Sequence, residues 1–170
     1  MKLDLRRFRG QTEHLAQRYE PAAFALEGED FRLIAPVELE ADVRKDASKV
    51  RLQGGVKTTL EVACSRCLEP FPVPVDAPFD LMFLPVAENT RDGEQEVTED
   101  DVGVSYYKDD VLDLGDVMRE QFYLALPMKP LCREDCKGLC PVCGTNRNRE
   151  TCDCKTDWVD PRLESLKKLL

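Results

Sequence analysis

Residues 132–154 read CREDCKGLCPVCGTNRNRETCDC, and this stretch holds six of the chain's eight cysteines. The other two, Cys64 and Cys67, stand as C-x2-C near the middle of the chain. Four thiolates make one tetrahedral zinc site, so eight allow two. The sharpest signal is Cys140-Pro141-Val142-Cys143-Gly144, where cysteines at i and i+3 turn both sulfurs toward one ion. Gly144 supplies the positive φ that such a turn demands. A partner pair, Cys152 and Cys154, follows after a polar segment, Thr145 to Thr151, rich in turn formers. The spacing therefore predicts Cys140, Cys143, Cys152 and Cys154 on one Zn2+. Cys132 and Cys136 would join Cys64 and Cys67 on a second. A single cluster drawing differently on these pairs is the rival arrangement, so the expectation is one or two zinc ions per chain.

An even cysteine count also fits disulfides. Against them, the amino-terminal MKLDLRRFRG has no apolar run to act as a secretion signal. A 170-residue chain is long enough for a real core. Closely paired cysteines also suit a metal better than separated bridges. Iron–sulfur ligation needs only thiolates, but the Cys-Pro-x-Cys-Gly turn favours zinc. A site closed by four cysteines leaves no open position for water or substrate, so it fastens a fold and does not catalyse.

Apolar residues make up 42% of the chain and charged ones 34%, the balance of an ordinary water-soluble domain. No apolar run approaches the ~20 residues of a membrane-spanning helix. A cytoplasmic location is expected, where thiols stay reduced. The net charge of −9 is concentrated: Val86–Asp116 carries eleven acids against two bases, leaving the remainder neutral. Such a chain gains little from unspecific attraction to phosphate backbones. Nucleic-acid contact would be local, or would go through a basic protein partner.

Along the chain, Leu3 and Leu5 alternate like a short strand, and Gln11–Tyr19 reads as a helix ended by Pro21. The bases of residues 1–20 fit either a basic arm touching RNA or an edge strand with solvated charges. His14, the only histidine, shows no partner in the sequence and reads as a surface residue. Residues 22–84 read as antiparallel sheet. Phe24 and Leu26 mark one strand. Val37, Leu39, Ala41 and Val43 alternate with charged residues, as do Val56, Thr58, Leu60 and Val62 after Gly54-Gly55. That glycine pair points to a bulge or a barrel corner. Phe71 to Phe83 alternates again, with Pro72, Pro74 and Pro78 all on the opposite parity, as on an edge strand. Cys64 and Cys67 fall on the hairpin tip between these last two strands. Residues 86–110 form an acidic insert, with Glu94–Asp101 as its loop. Asp113 caps a helix from Leu114 to about Leu126, with Val117, Met118, Gln121, Phe122 and Ala125 on one stripe. Trp158 and Pro161 lead into a terminal helix, Arg162–Leu170.

The expected fold is thus α+β: an antiparallel, partly barrel-like β-sheet with one packing helix, a cysteine-rich zinc-binding segment and a short C-terminal helix. The expected boundaries are a β-rich core over 1–128 carrying the insert 86–110, the zinc segment over 129–157 packed on that core, and the helix over 158–170.

In its order of parts the chain resembles the bacterial YceD family, the large ribosomal RNA subunit accumulation proteins. The resemblance rests on Cys64 to Cys67, on Leu126-Pro127, and above all on Asp135 to Asn146, DCKGLCPVCGTN. It implies a cytoplasmic bacterial or plastid protein needed for normal levels of large-subunit ribosomal RNA. The implied partners are a ribosomal or ribosome-assembly protein, a basic one, and ribosomal RNA contacted directly or indirectly. No membrane and no small-molecule substrate are expected. No phosphate-cradling glycine loop or nucleophile–histidine pair is present, so the chain is expected not to be an enzyme. The alternative is a zinc–thiolate redox sensor or a redox-regulated, chaperone-like protein.

Overall fold

A computed structural model of the protein describes residues 1–8, 12–26, 28–86 and 103–155. The described chain is mostly sheet with one helix. The strands are β1 (Lys2–Asp4), β2 (Thr12–Tyr19), β3 (Phe31–Leu33), β4 (Val37–Asp46), β5 (Lys49–Ala63), β6 (Pro70–Pro85), β7 (Val104–Tyr107) and β8 (Val111–Asp113), followed by α1 (Leu114–Ala125). The chain divides into two compact units. One is Met1–Val62 with Pro72–Met128, the other Ala63–Phe71 with Lys129–Leu170.

In the first unit six strands form one sheet in the order β2-β4-β5-β6-β7, with β3 added on β5. The order has two ends, so the sheet is open and the expected barrel closure is not formed by the described strands. Most pairs are antiparallel, but β7 runs parallel to β6, Met82 opposite Val104 and Pro85 opposite Tyr107. The sheet is therefore mixed. β7 also lies inside the segment expected to be an acidic insert: the β-branched and aromatic Val104-Ser105-Tyr106-Tyr107 is strand-forming whatever the charge around it. The loop expected at Glu94–Asp101 lies outside the described residues, as does the terminal helix expected over 162–170.

The alternations work as expected in β4 and β5. Val37, Leu39, Ala41 and Val43 are buried, and Val50, Leu52, Val56, Leu60 and Val62 keep one parity across the glycine pair. The β4–β5 register runs unbroken from Asp46 opposite Lys49 to Glu38 opposite Lys57. There is accordingly no bulge in this ladder. Gly54 instead marks a close approach, since a Cβ there would lie 2.1 Å from the Glu40 carbonyl oxygen. In β6 the three same-parity prolines are exposed. The expected edge position is not what forms: β6 lies between β5 and β7, with β7 paired only to its Met82–Pro85 end, beyond the three prolines.

Two elements differ from expectation. Thr12–Tyr19 is a strand and not a helix, antiparallel to β4 with His14 opposite Asp42 and Arg18 opposite Glu38. Its two large apolar residues, Leu15 and Tyr19, are four apart, a spacing common to one helical turn and two strand repeats. The tie is broken by the backbone ladder with β4, which runs from Thr12 opposite Arg44 to Tyr19 opposite Val37. On its exposed face His14 Nδ1 meets Asp42 Oδ1 at 2.9 Å, and Arg18 meets Glu38 at 3.5 Å. The other is Phe24, which lies outside any strand and places its ring against Tyr19 and Phe122, with centroids 6.2 and 5.9 Å apart. The strand in that region is Phe31–Leu33 instead.

Asp113 caps α1, accepting the Gly115 N–H at 2.9 Å. Leu114, Val117, Met118, Gln121 and Phe122 form its buried stripe, while Ala125 is exposed. Phe122 meets Phe31 edge-on at 6.0 Å, which seats the helix against β3.

Candidate metal centres

The second unit has 36 described residues, and those that are buried are Cys64, Cys67, Cys136, Gly138 and Cys140. Four sulfurs and a glycine stand where a domain would place its leucines. Phe71 and Leu131, both half-buried, are the apolar neighbours of the cysteine cluster. Among the described residues of this unit, aliphatic burial is slight, so hydrophobic packing there contributes little against conformational entropy.

The structure brings the eight cysteine sulfurs into two sets of four, Cys64/Cys67/Cys132/Cys136 and Cys140/Cys143/Cys152/Cys154. Within each set the sulfurs all lie within 4.8 Å of one another. This is the division predicted from the spacing. All eight are free thiols. Cys64 and Cys136 are 3.8 Å apart, and so are Cys67 and Cys132. Four sulfurs at about 2.3 Å from one ion in tetrahedral array lie about 3.8 Å from each other. The separations therefore fit a single tetrahedral ion and are far beyond the ~2.05 Å of a disulfide.

Two turns present the first pair of each set, and they share one hydrogen-bond pattern. The Cys64 N–H donates to the Glu69 carbonyl at 2.9 Å, and the Leu68 N–H to the Cys64 carbonyl at 2.9 Å. Likewise the Cys140 N–H donates to Thr145 at 2.8 Å, and the Gly144 N–H to Cys140 at 2.9 Å. The fifth residue of each turn is left-handed: Leu68 has φ 60° and Gly144 φ 75°. The first turn is the tip of the β5–β6 hairpin. The second is closed by an isolated bridge between Leu139 and Asn146.

The segment carrying Cys132 and Cys136 is tied to the hairpin tip by backbone. Ser65 N–H donates to Pro130 at 2.9 Å and Leu139 N–H to Arg66 at 3.0 Å. The Arg66 guanidinium donates to the Cys136 carbonyl at 2.8 Å. Gly138, at φ 70°, lets the chain pass so close that a Cβ would meet the Arg66 carbonyl oxygen at 2.9 Å.

Electrostatics divides each set into two thiols that hold protons and two that shed them. Burial works to raise Cys64, but backbone N–H groups of Cys132, Arg66 and Cys67 outweigh it and bring the thiol down to about 6. Burial and then the Cys136, Cys64 and Cys67 sulfurs push Cys132 up to about 12. In the other set the hydroxyl and N–H of Thr145 hold Cys143 down to about 6. The Cys143 sulfur, followed by burial, pushes Cys154 up to about 12. Four thiols crowded together share few negative charges. A divalent cation would release the remaining protons and neutralise part of the charge. The sets differ in exposure: Cys64 and Cys67 are 0% and 3% exposed, whereas Cys143 and Cys154 lie open.

A depression of about 440 Å³ on the outer face of the six-stranded sheet is lined by His14, Glu38, Glu40, Asp42, Lys57 and the glycine pair. No cysteine, serine or threonine lines it. His14 is well exposed there, as expected, and its Asp42 partner was invisible in the sequence because the pairing is cross-strand. Among the described residues no helix is long and apolar enough to cross a membrane.

Residues 52–170 match the family model described as "Large ribosomal RNA subunit accumulation protein YceD". A maize protein named "Large ribosomal RNA subunit accumulation protein YCED homolog 1, chloroplastic" is 30% identical over 71% of this chain and 49% of its own length. The Arabidopsis thaliana protein of the same name is 28% identical over 74% and 46%. The chain thus spans about half the length of these two relatives. An uncharacterized Mycobacterium bovis protein is 30% identical over 89% of this chain and 70% of its own length. No solved structure matches significantly.

Proposed function

The chain belongs to the YceD family of large ribosomal RNA subunit accumulation proteins, and on that premise we propose that it is a zinc-stabilised, non-enzymatic factor supporting accumulation of large-subunit ribosomal RNA. The observation that supports the zinc half of this reading is the second unit, where the buried residues among those described are four cysteines and one glycine. Zn2+ would be held by Cys64, Cys67, Cys132 and Cys136 in one site and by Cys140, Cys143, Cys152 and Cys154 in the other. It supplies cross-linking of distant backbone, and closed sets of four sulfurs leave no coordination position for a substrate. The ribosomal half rests on the family.

The proposed partner is a basic ribosomal or assembly protein, drawn by the chain's net charge of −9. Local RNA contact would fall to Arg133, Lys137, Arg147 and Arg149 beside the cysteine loops. The expected location is the cytoplasm. Tagged protein should co-sediment with large-subunit precursor particles and be released by salt. Recovery only in ribosome-free fractions at low salt would overturn the reading.

A second reading, a zinc–thiolate redox sensor, draws on the exposed, low-pKa Cys143. Mild peroxide should then release zinc and leave mapped disulfides; zinc retained under peroxide removes it.

A further inference from the structure

Asn148 belongs by sequence to the loop that joins the two ligand pairs of the second set, Cys140/Cys143 and Cys152/Cys154. Its side chain serves the first set. Its Nδ2 donates to the Cys136 sulfur at 3.3 Å. Its Oδ1 accepts the Lys137 N–H at 2.8 Å and an Arg133 guanidinium N–H at 2.8 Å. The amide is thus held at both ends across the Cys132–Cys136 segment, with one N–H aimed at a ligand sulfur.

The loop that carries it is itself ordered. Asn146 Oδ1 accepts the Asn148 backbone N–H at 3.0 Å and the Asn148 Nδ2 at 2.9 Å. The Arg147 N–H donates to the Gly138 carbonyl at 2.9 Å. Arg149 and Glu150 both donate N–H bonds to the Asn146 carbonyl at 3.0 Å. The loop runs between ligand residues of the second sulfur set, Cys143 before it and Cys152 after it. A hydrogen bond to a metal-bound thiolate disperses its charge and orients the sulfur, and such supporting contacts are typically worth 10–100-fold in metal affinity.

We propose that Asn148 is the positioning residue that couples the two metal centres. Closing the second centre folds the 144–151 loop and delivers the Asn148 amide to Cys136, so that metal in the second site tightens the first. This rests on the reading that both sulfur sets bind metal. The coupling is reciprocal by thermodynamic necessity, so metal in the first site favours the second to the same extent.

Cobalt(II) titration of the reduced full chain tests it, because thiolate-to-cobalt absorption reports each site without an activity assay. Asn148→Ala should weaken the first site about tenfold and shift its charge-transfer band, with the second site's band unmoved. A double variant, Cys152→Ser with Cys154→Ser, should weaken the first site by a similar factor. Adding Asn148→Ala to that double variant should cost no more. If the double variant fails to fold, the band shift of Asn148→Ala alone decides. An unchanged first-site band and affinity in Asn148→Ala, with two cobalt ions still bound, would overturn the coupling and leave the metal reading intact. A chain that binds no cobalt would sink both.

Discussion

In Cys64–Glu69 the first cysteine's amide donates to the sixth residue and the fifth residue's amide donates back to the first. In Cys140–Thr145 the same two bonds close the same turn. The surroundings differ. The first turn caps two long strands, and its sulfurs are inaccessible. The second stands in a loop braced by one isolated bridge, and Cys143 is open to solvent. The fifth residue follows suit. A hairpin held by its own ladder tolerates leucine at φ 60°, a conformation that costs an L-residue roughly 1–2 kcal/mol. The turn without a ladder uses Gly144, for which that φ is free. The lesson is that the cysteine turn is a local geometry, and that its surroundings decide how much strain and exposure each copy carries.

The largest expected effect comes from removing one set and then the other. Cys64→Ser with Cys67→Ser should release one metal and unfold the hairpin tip and the Cys132–Cys136 segment, on the scale of about 10 kcal/mol for structural zinc. Cys152→Ser with Cys154→Ser should also release one metal but leave amide protection around Cys64 to Cys67. Metal analysis with hydrogen exchange reads both; equal collapse in the two variants would erase the distinction between the sites.

Acid should act next. Cys64 and Cys143 are lowered to about 6, so the thiolate form stabilises the fold fully above the ordinary thiol range and that contribution fades as pH falls through about 6. Cys132 and Cys154 are raised, so their protons must be displaced by metal even at neutral pH. Zinc affinity is therefore expected to fall with pH and to fall most steeply below about 6, as followed with a chromophoric indicator. A flat profile between pH 8 and 5 would count against thiolate ligation.

Smaller effects sharpen the comparison at single glycines. Gly138→Ala combines a positive φ with a Cβ 2.9 Å from a carbonyl oxygen, and should cost about 2–3 kcal/mol. Gly144→Ala meets no atom within 4 Å, so only the φ is strained, for about 1 kcal/mol. Leu68→Asn should gain about 0.5–1 kcal/mol, since asparagine accepts the left-handed region. Thermal melts of the three variants give the order; a destabilised Leu68→Asn would mean that the leucine has a packing role.

Much of this was legible in the residues because the signals were local. The alternation of Val37 to Val43, the Asp113 cap and the i, i+3 cysteine pairs each encode their geometry within one element. Nearness in sequence also put Cys140, Cys143, Cys152 and Cys154 together, and the pairs left over, Cys64/Cys67 and Cys132/Cys136, fell to each other across 65 residues or more. What failed was structure set by a distant partner that no such residue motif announces. Thr12–Tyr19 becomes a strand through β4, β7 finds β6 in parallel across a long connection, and Asn148 serves a sulfur of the other set. Nothing in the spacing of Asn148 marks it; only the fold of the loop brings it to Cys136.

The central claim is that two closed sulfur cages hold the second unit together. Metal analysis of purified, reduced protein, combined with X-ray absorption at the zinc edge, tests it directly. The account predicts about two zinc ions per chain, each with four sulfur neighbours near 2.3 Å. A metal-free protein that still folds cooperatively, or sulfurs bridged to one another, would contradict it.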